Sequence, residues 1–439
     1  MIAILKKILI FGLLLVSADE ISGQWLAGYS YRKVITIDAG QVFGTTDLLD
    51  YPFLVSLIDP DLKSVFHGGL VFSDNGWDVR FTENDGTTLF DHEVELYTAS
   101  TGELLAWVRI PVLSYAEDTE IYMYFGNQSV DSDPSTSNTW SNDFHGVWHL
   151  NENADDASQY VNNGVNNGAI SVAGKIGNGY KFDGIDDNIN IPNHASLNIT
   201  GDITMEAWAR VINESEVNWV ITGKNYDYWL WYEDTTLRFY AGETNVIDTI
   251  ALTKNQWYHV AGTYDGSMMR LFLDGTEVAS KPNSIPTSND SNAPLTIGNY
   301  PPTPDPWNFT GDIDEVRISA YSHSGDWIKT SYSNQNNPAL FSSIDITETV
   351  NDLPCSAILL PTDTACSYNI FSNEYATDSG IPLAECDGYS GGDVWFKIEV
   401  PLTGNVIVKI ESDAIDQFPD NDGWAYGPGL AVYTGSCST

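Results

Sequence analysis

Basic residues are scarce in this 439-residue chain: Lys and Arg together number 19, against 60 Asp and Glu, for a formal net charge of -41. Such a chain repels phosphate backbones and anionic headgroups, which excludes nucleic acid and acidic membrane surfaces as expected partners. Only 18% of the residues are charged, whereas 42% are hydrophobic and 12% are aromatic. This apolar content predicts sizeable folded cores and excludes bulk disorder.

Long hydrophobic runs are absent after the N-terminus, so no transmembrane span is predicted in the rest of the chain. At the N-terminus, Lys6 and Lys7 precede an apolar run over residues 8–16, and small residues follow it. This order is typical of a secretory signal peptide, and the run is too short for a stable membrane-spanning helix. We therefore predict a signal peptide over residues 1–23 and a secreted or cell-surface location, with a retained anchor as the alternative.

Cysteine is absent from the first 354 residues, and all four cysteines stand in the last quarter of the chain. A metal site would favour cysteines paired two residues apart, and the sequence has no such pair. An even number of cysteines in an exported chain indicates disulfides, with three possible connectivities. Among these we expect the sequential bridges Cys355–Cys366 and Cys386–Cys437.

Helical periodicity is also nearly missing, and short alternating runs separated by Gly, Asn, Asp and Pro take its place. This pattern is typical of all-β proteins. Residues 257–280 are the clearest example, because Asp265-Gly266 and Asp274-Gly275 each stand between β-prone runs and predict tight hairpin turns. The sequence therefore predicts an all-β fold with several β-sandwiches, and three consecutive antiparallel strands in this segment.

Composition divides the mature chain into three blocks. Residues 131–139 have the polar composition of a linker and mark the first boundary. Every cysteine falls in the third block, which stops soon after a strand-like run, so we expect the natural protein to continue beyond residue 439. The predicted domains cover residues 24–137, 140–346 and 349–439.

Residues 147–320 resemble the laminin-G-type, concanavalin A-like jelly roll that is common in bacterial surface proteins. Eight motifs occur in order and carry this resemblance, which implies a central jelly roll. They are VWHLNE (147–152), DASQYVNNG (156–164), KFDGIDDNINIP (181–192), ITMEAWAR (203–210), WYHVAGTYDG (257–266), LFLDG (271–275), LTIGN (295–299) and FTGDIDEVRIS (309–319).

The two flanking blocks also resemble known modules. The third block is similar to a disulfide-bearing β-sandwich module of large secreted bacterial adhesins and enzymes, through DVWF and AVYTGSC. The first block resembles a bacterial domain of unknown function (DUF2341-like) that often precedes such jelly rolls. Its matching motifs are GYSYRKVITID (28–38), WDVRFTENDGTTL (77–89), AWVRIPVL (106–113) and IYMYFGN (121–127).

The motif FTGDIDEVRIS stands where laminarinase-type glycoside hydrolases of this fold carry the catalytic carboxylates E-x-D-x-E. Side chains at i, i+2 and i+4 of a strand share a face, and retaining hydrolysis needs two carboxyl groups close together. This register places Asp312, Asp314 and Val316 on one face. Glu315 would point to the opposite face. Since valine occupies the position of the acid, we predict that this strand is not catalytic and that the chain is not an enzyme.

The jelly-roll resemblance also implies a structural Ca²⁺ between the first loop and this late strand. Asp156, Asn163 and Asp314 match the ligand positions, and calcium takes several oxygen ligands. The alternative is that these aspartates cap turns by accepting hydrogen bonds from backbone amides. His145 and His149 lack the glutamate of an HExxH zinc motif and are predicted to be structural.

Sugar binding on such folds relies on exposed aromatic rings that stack on pyranose faces. In residues 225–234 a strand would direct Trp229 and Trp231 to one face and Tyr228 to the other, and one of these sets should fill the core. The Pro-rich loop 300–307 is a second candidate. The alternative is that aromatics at period two simply pack the sandwich. The candidate ligand-binding residues are Tyr228, Trp229, Trp231 and Trp307.

These features predict a secreted or cell-surface binding or adhesion protein whose jelly roll recognises a glycan or a surface glycoprotein. Two alternatives remain open at this point. The chain could be the targeting half of a larger secreted polysaccharide-active hydrolase whose catalytic domain lies elsewhere. It could also be a structural spacer that binds nothing specific.

Overall fold

The structure is a computed structural model. The predicted signal peptide and all four cysteines lie outside the described residues. The signal peptide and the disulfide pairing therefore stay predictions. The described residues are 25–141, 143–212, 218–225, 227–233, 236–242, 244–249, 252–285, 287, 292–300, 307–350, 358–359 and 396–397.

The N-terminal block contains two small antiparallel sheets. One sheet has the order β1-β6-β3, and the other has the order β2-β5-β4. Two of these strands coincide with the segments YRKVITI and TEIYMYF, whose alternation is visible in the sequence. The strands are β1 (Tyr31–Ile37), β2 (Leu48–Ile58), β3 (Arg80–Glu83), β4 (His92–Thr98), β5 (Glu103–Leu113) and β6 (Thr119–Phe125).

The middle block is a sandwich of two large antiparallel sheets, which confirms the predicted all-β class. Its strands are β7 (Phe144–Trp148), β8 (Val165–Asn167), β9 (Ile170–Ala173), β10 (Asn178–Asp183), β11 (Asn188–Ile191), β12 (Ile203–Val211), β13 (Asn218–Lys224), β14 (Tyr228–Glu233), β15 (Thr236–Ala241), β16 (Thr244–Thr249), β17 (Trp257–Tyr264), β18 (Met268–Leu273), β19 (Thr276–Pro282), β20 (Leu295–Ile297) and β21 (Thr310–Ser319).

One sheet has eight strands in the order β19-β18-β17-β12-β21-β10-β9, with β7 paired to β21. The other has seven strands in the order β16-β15-β14-β13-β20-β11-β8. The predicted hairpins of residues 257–280 are confirmed, since β17, β18 and β19 pair consecutively. At the second turn Asp274 and Gly275 both have positive φ, the conformation that a two-residue hairpin turn requires.

The chain then returns to the N-terminal block. Strands β22 and β23 pair antiparallel with β1, so residues C-terminal to the sandwich complete the first sheet. Neither helix in the described part of the chain has the length and hydrophobicity needed to cross a membrane. The remaining elements are α1 (Gly325–Asn336), α2 (Pro338–Phe341), β22 (Ser342–Ile344), β23 (Glu348–Thr349) and the parallel pair β24 (Ile358–Leu359) and β25 (Phe396–Lys397), with 3-10 turns at Ala39–Gln41, Pro60–Leu62, Val65–His67, Ser137–Thr139 and Ala195–Leu197.

Two hydrophobic cores follow from this arrangement. The first lies between the large sheets of the sandwich. The second is shared by the two blocks: it includes Ala261 and Phe272 from the outer face of the eight-stranded sheet, and Tyr51 and Phe53 from β2. Phe341 stacks on both of these β2 rings, at centroid distances of 6.4 and 6.0 Å. The N-terminal block therefore covers the eight-stranded sheet.

Helix α1 lies at this junction and makes polar contacts to both blocks. The amide of Asn334 accepts from Leu54 N (2.7 Å) and donates to Leu54 O (3.1 Å). Gln335 Oε1 accepts from Trp208 Nε1 at 2.7 Å. These polar side chains are buried because each one satisfies groups of the sheets. The helix therefore lacks an apolar stripe, which is why sequence periodicity does not predict it.

We expect the shared core to stabilise the whole described unit. Replacing Phe341, which is fully buried, by Ala should cost about 3–5 kcal/mol of unfolding free energy, since a large cavity would open between the blocks. The neighbouring Leu340 is 66% exposed, so Leu340→Ala should cost less than about 0.5 kcal/mol. Urea unfolding followed by circular dichroism measures both. Equal losses in the two variants would contradict the shared core.

Acid should destabilise the same junction through His323, whose ring stacks on Trp327 at 3.8 Å. Burial lowers the pKa of His323 to about 4, against a smaller opposing effect of the Glu206 charge. The unfolded chain, with a histidine pKa near 6.5, then binds more protons than the folded chain as the pH falls from about 6.5 to about 4. His323 therefore contributes its full share of the unfolding free energy above about pH 6.5. As the pH falls to about 4, that contribution of about 3 kcal/mol is lost.

Unfolding free energies measured between pH 7 and pH 4 check this expectation. His323→Gln should reduce the acid-induced loss, and the exposed His194→Gln should leave it unchanged. Burial also lowers the pKa of His92 to about 4. His92 therefore accounts for part of the acid-induced loss that remains in His323→Gln. The same pH dependence in His323→Gln and the native sequence would show that His323 does not contribute.

Candidate functional site

Strand β14 divides its side chains between the sandwich core and the outer face of the seven-stranded sheet. Leu230 and Tyr232 belong to the core, whereas Trp229 and Trp231 do not. Tyr228 is also in the core, fully buried, and its hydroxyl donates to Leu197 O at 2.9 Å. This corrects the inclusion of Tyr228 among the ligand-binding candidates, because alternation along the strand turns it away from the surface.

On the outer face, five rings form what we call the aromatic cluster: Trp229, Trp231, Tyr240, Tyr300 and Trp307. Trp229 is at its centre and stacks on Trp231, with centroids 4.2 Å apart and planes at 12°. The centroid of Trp229 lies 4.8 Å from that of Tyr300, 5.7 Å from that of Trp307 and 6.0 Å from that of Tyr240. The structure thus brings the two predicted candidate segments together in a single site.

The rings of the aromatic cluster differ in exposure. Trp231 is only 2% exposed and stacks on Trp229, so it offers almost no contact surface itself. The other four rings are half-buried and present their remaining area to solvent. Half-buried aromatic rings that are held by their neighbours offer apolar contact area at low cost in conformational entropy.

Polar side chains border the aromatic cluster. Arg238 lies 5.9 Å from the Trp231 ring and forms an ion pair with Glu233 at 2.7 Å. On the opposite side, the Tyr300 hydroxyl donates to Asn225 Oδ1 at 2.6 Å. These groups place carboxylate, guanidinium and amide functions beside the rings, which is the combination that fixes the orientation of a polar ligand in a largely apolar site.

Tyr300 lies in the predicted candidate loop 300–307, whereas neither Tyr240 nor Arg238 was predicted to belong to the site. A signal for Tyr240 was present, because β15 alternates as TLRFYA and its Leu237 and Phe239 fill the core. Tyr240 stands directly opposite Trp229 in the β14–β15 ladder. Only the pairing of the strands shows that these two rings meet.

Asp156, one of the predicted calcium ligands, lies in the loop after β7. Its Oδ1 accepts from Val147 N and Ser158 N, and its Oδ2 accepts from Asn162 N and Ser158 Oγ, all at 2.7–2.9 Å. Asn163 Oδ1 in turn accepts from Asp156 N at 2.9 Å. Both carboxylate oxygens are therefore engaged by donors, as the turn-capping alternative requires. This donor set fits a calcium ion poorly.

The third predicted ligand, Asp314, lies on β21. Its Oδ2 accepts from Lys175 N (2.7 Å) and Ile176 N (2.9 Å), and its fully buried Oδ1 makes no hydrogen bond to any described residue. Burial, followed by the charges of Glu315 and Glu95, raises the pKa of Asp314 well above its usual value. Calcium at Asp156, Asn163 and Asp314 stays a prediction.

The face assignment along β21 was wrong after Asp314. Strand β12 pairs Glu206 with Arg317 but Trp208 with Asp314, so two residues of β21 stand opposite one of β12. This β-bulge, with Glu315 at φ 50°, shifts the alternation by one residue. Val316 consequently lies in the sandwich core. Glu315 points away from that core, as Asp314 does.

The bulge therefore brings two carboxyl groups, Asp314 and Glu315, to one face of β21. Both are fully buried beneath the N-terminal block, at 0% and 1% exposure. A polysaccharide cannot reach them in this structure. The bulge thus removes the missing carboxyl pair as an argument, and the expectation that this strand is not catalytic stays a prediction.

Comparison with protein families identifies two modules in the predicted order. Residues 183–344 match the model of the concanavalin A-like lectin/glucanases superfamily. Residues 75–169 match a domain of unknown function (DUF2341). The presence and order of these two modules are thereby confirmed, whereas the predicted domain bounds and the disulfide-bearing third module stay predictions.

Solved structures show a partial likeness, whereas no match was found among curated proteins. The binding domain of Paraclostridial Mosquitocidal Protein 1 is 16% identical with a TM-score of 0.37, over 43% of this chain and 52% of that one. Domain 4 of AbnA, a GH43 extracellular arabinanase from Geobacillus stearothermophilus solved with arabinotriose, is 18% identical with a TM-score of 0.35, over 43% and 98%. The botulinum neurotoxin serotype D binding domain is 15% identical with a TM-score of 0.36, over 44% and 51%. The chain thus spans about half the length of the two toxin domains.

Asp156 provides a test of the turn-capping interpretation. Asp156→Asn would replace an acceptor of four hydrogen bonds by an amide that repels some of the same donors, and should cost about 2–3 kcal/mol of unfolding free energy. The adjacent, exposed Asp155→Asn should cost less than about 0.5 kcal/mol. Denaturant unfolding compares the two, and similar small losses would contradict the structural role.

The same variants test the calcium prediction. Calcium bound at Asp156 would raise the melting temperature of the native sequence, because it would bind the folded state alone. That rise would have to disappear in Asp156→Asn and persist in Asp155→Asn.

Proposed function

We propose that this protein is a secreted or cell-surface binding protein whose aromatic cluster recognises a glycan, either free or carried by a glycoprotein. The observation that carries the proposal is the group of half-buried rings around Trp229 on the outer face of the seven-stranded sheet. Such rings supply the flat apolar surface on which the C–H face of a sugar ring can pack.

The polar border of the cluster supports the same proposal. Glu233 and Arg238 are each about one-fifth exposed, so their charged groups remain accessible beside the rings. Carboxylate and guanidinium groups make strong, directional hydrogen bonds to hydroxyl groups. Asn225 and Tyr300 would serve in the same way on the other side of Trp229.

The charge of the chain narrows the class of glycan. With a formal net charge of -41, the protein repels anionic ligands at long range. Arg238, the cation at the cluster, is already paired with Glu233. We therefore propose a neutral glycan, and not a sulfated or uronic-acid polymer, as the ligand.

The main test is a comparison of two tryptophan variants. Trp229→Ala should weaken binding to a neutral oligosaccharide by at least about 10-fold, because it removes the central ring of the site. Trp257 on the eight-stranded sheet is a matched control: it is also half-buried and has Arg210 5.0 Å from its ring. Trp257→Ala should retain binding. A glycan array identifies the oligosaccharide, and calorimetry measures the affinities.

Circular dichroism and unfolding curves establish that both variants are folded. Equal affinities of Trp229→Ala and Trp257→Ala would place the binding site elsewhere. A native protein that binds no glycan of the array would remove the proposal.

A further inference from the structure

A second group of functional side chains lies at the junction of the two blocks, on the opposite side of the sandwich from the aromatic cluster. It consists of Glu95 on β4, His149 just after β7 and Glu315 on β21. His149 Nδ1 is 2.7 Å from Glu315 Oε1 and 3.5 Å from Glu95 Oε2. One ligand atom from each residue lies within 4.8 Å of the other two, so a single metal ion could contact all three.

These three side chains are withdrawn from solvent. Side-chain exposure is 2% for Glu95, 10% for His149 and 0% for Glu315. Two carboxylates and an imidazole are rarely buried together unless charge is compensated nearby. Exposed acidic groups lie close together on many proteins without a ligand, but this group is not exposed.

The second nitrogen of His149, Nε2, faces a further carboxylate. Its Nε2 is 3.5 Å from Glu93 Oε2, and it makes no hydrogen bond to any residue that the structure describes. Glu93 is itself held by Trp140 Nε1, which donates to the same oxygen at 2.8 Å. In metal sites the imidazole nitrogen that does not bind the ion typically faces a carboxylate, which orients the ring.

The two glutamates also accept hydrogen bonds from other side chains, Glu95 through the same oxygen that faces His149. Trp107 Nε1 donates to Glu95 Oε2 at 2.8 Å, and Arg317 Nη2 donates to Glu315 Oε2 at 2.7 Å. The Arg317 guanidinium in turn lies 4.1 Å from the Trp107 ring. Glu315 Oε1 is left facing His149. Such a layer of supporting contacts is needed for rigid ligand geometry.

The buried charge at this junction is predominantly negative. Glu93, Glu95 and Glu315 surround His149, and the Arg317 guanidinium is paired with Glu315. An excess of buried carboxylates is costly unless protons or a cation neutralise it.

We propose that Glu95, His149 and Glu315 bind a divalent transition-metal ion of the zinc type between the N-terminal block and the sandwich. An imidazole nitrogen with carboxylate oxygens is a ligand set for zinc, whereas calcium takes oxygen ligands alone. The ion would join strands from both blocks and so stabilise their packing. This site is separate from the glycan proposal and from the predicted calcium ion.

The test uses the full chain, stripped of metal with a chelator at neutral pH and then equilibrated with Zn²⁺, Co²⁺ or Ca²⁺ separately. Elemental mass spectrometry after desalting should find about one equivalent of zinc or cobalt per chain. Bound Co²⁺ should give visible absorption bands, and zinc should raise the melting temperature by several degrees because it binds the folded state. A native chain that retains neither zinc nor cobalt overturns the proposal, whatever the variants do.

Variants then locate the site. Glu95→Gln and His149→Gln should each weaken zinc binding by at least 10-fold, in line with the effect of ligand and supporting mutations elsewhere. His145→Gln is the matched control, because His145 lies four residues earlier and bonds Ser196 O through Nδ1 at 2.6 Å, away from the three ligands. Zinc binding that is unchanged in both Glu95→Gln and His149→Gln would overturn the assignment. Stoichiometric Ca²⁺ in place of zinc would overturn it as well.

Discussion

The packing of the N-terminal block against one face of the sandwich is the constraint on which the rest of this structure depends. Helix α1 makes that packing possible, since the amide of Asn334 satisfies both backbone groups of Leu54 on strand β2. Phe341 and Phe272 close the shared core around it. One large sheet is thereby buried on both faces, while in the described part of the chain the outer face of the other carries partly exposed rings.

Because only one of the two large sheets is covered by the N-terminal block, strands with similar alternation present different chemical groups in the two sheets. On the seven-stranded sheet, the outward residues of β14 meet Tyr240, Tyr300 and Trp307 and form an accessible surface of aromatic rings. On the eight-stranded sheet, the outward residues of β21 meet β4 and become a buried cluster of ionisable groups. Accessible rings are suited to a ligand from solution, and buried carboxylates to an ion or to protons.

Much of the fold could be predicted because its signals are local. The Asp-Gly turns specify β17–β19, and alternation specifies β1, β6 and the opposed faces of Tyr228 and Trp229. Three other features could not be predicted, because their signals are not local. Helix α1 buries polar residues that serve distant strands, the bulge at Glu315 interrupts an otherwise regular pattern, and β22 returns to a sheet formed some 300 residues earlier. Each depends on a partner far away in the chain.

The amino-acid sequence by itself determined the all-β class, the order of the two matched modules and, where a strand has no bulge, which of its residues share a face, since strand periodicity and turn residues act over a few positions. Tertiary structure decided which of those faces is covered. Asp314 and Glu315 resemble surface carboxylates until the N-terminal block is placed over them, and Trp229 resembles a core residue although part of its ring area stays exposed among the described residues. Burial is a property of packed layers, so residues as distant as Glu95 and Glu315 become neighbours only when the sheets meet.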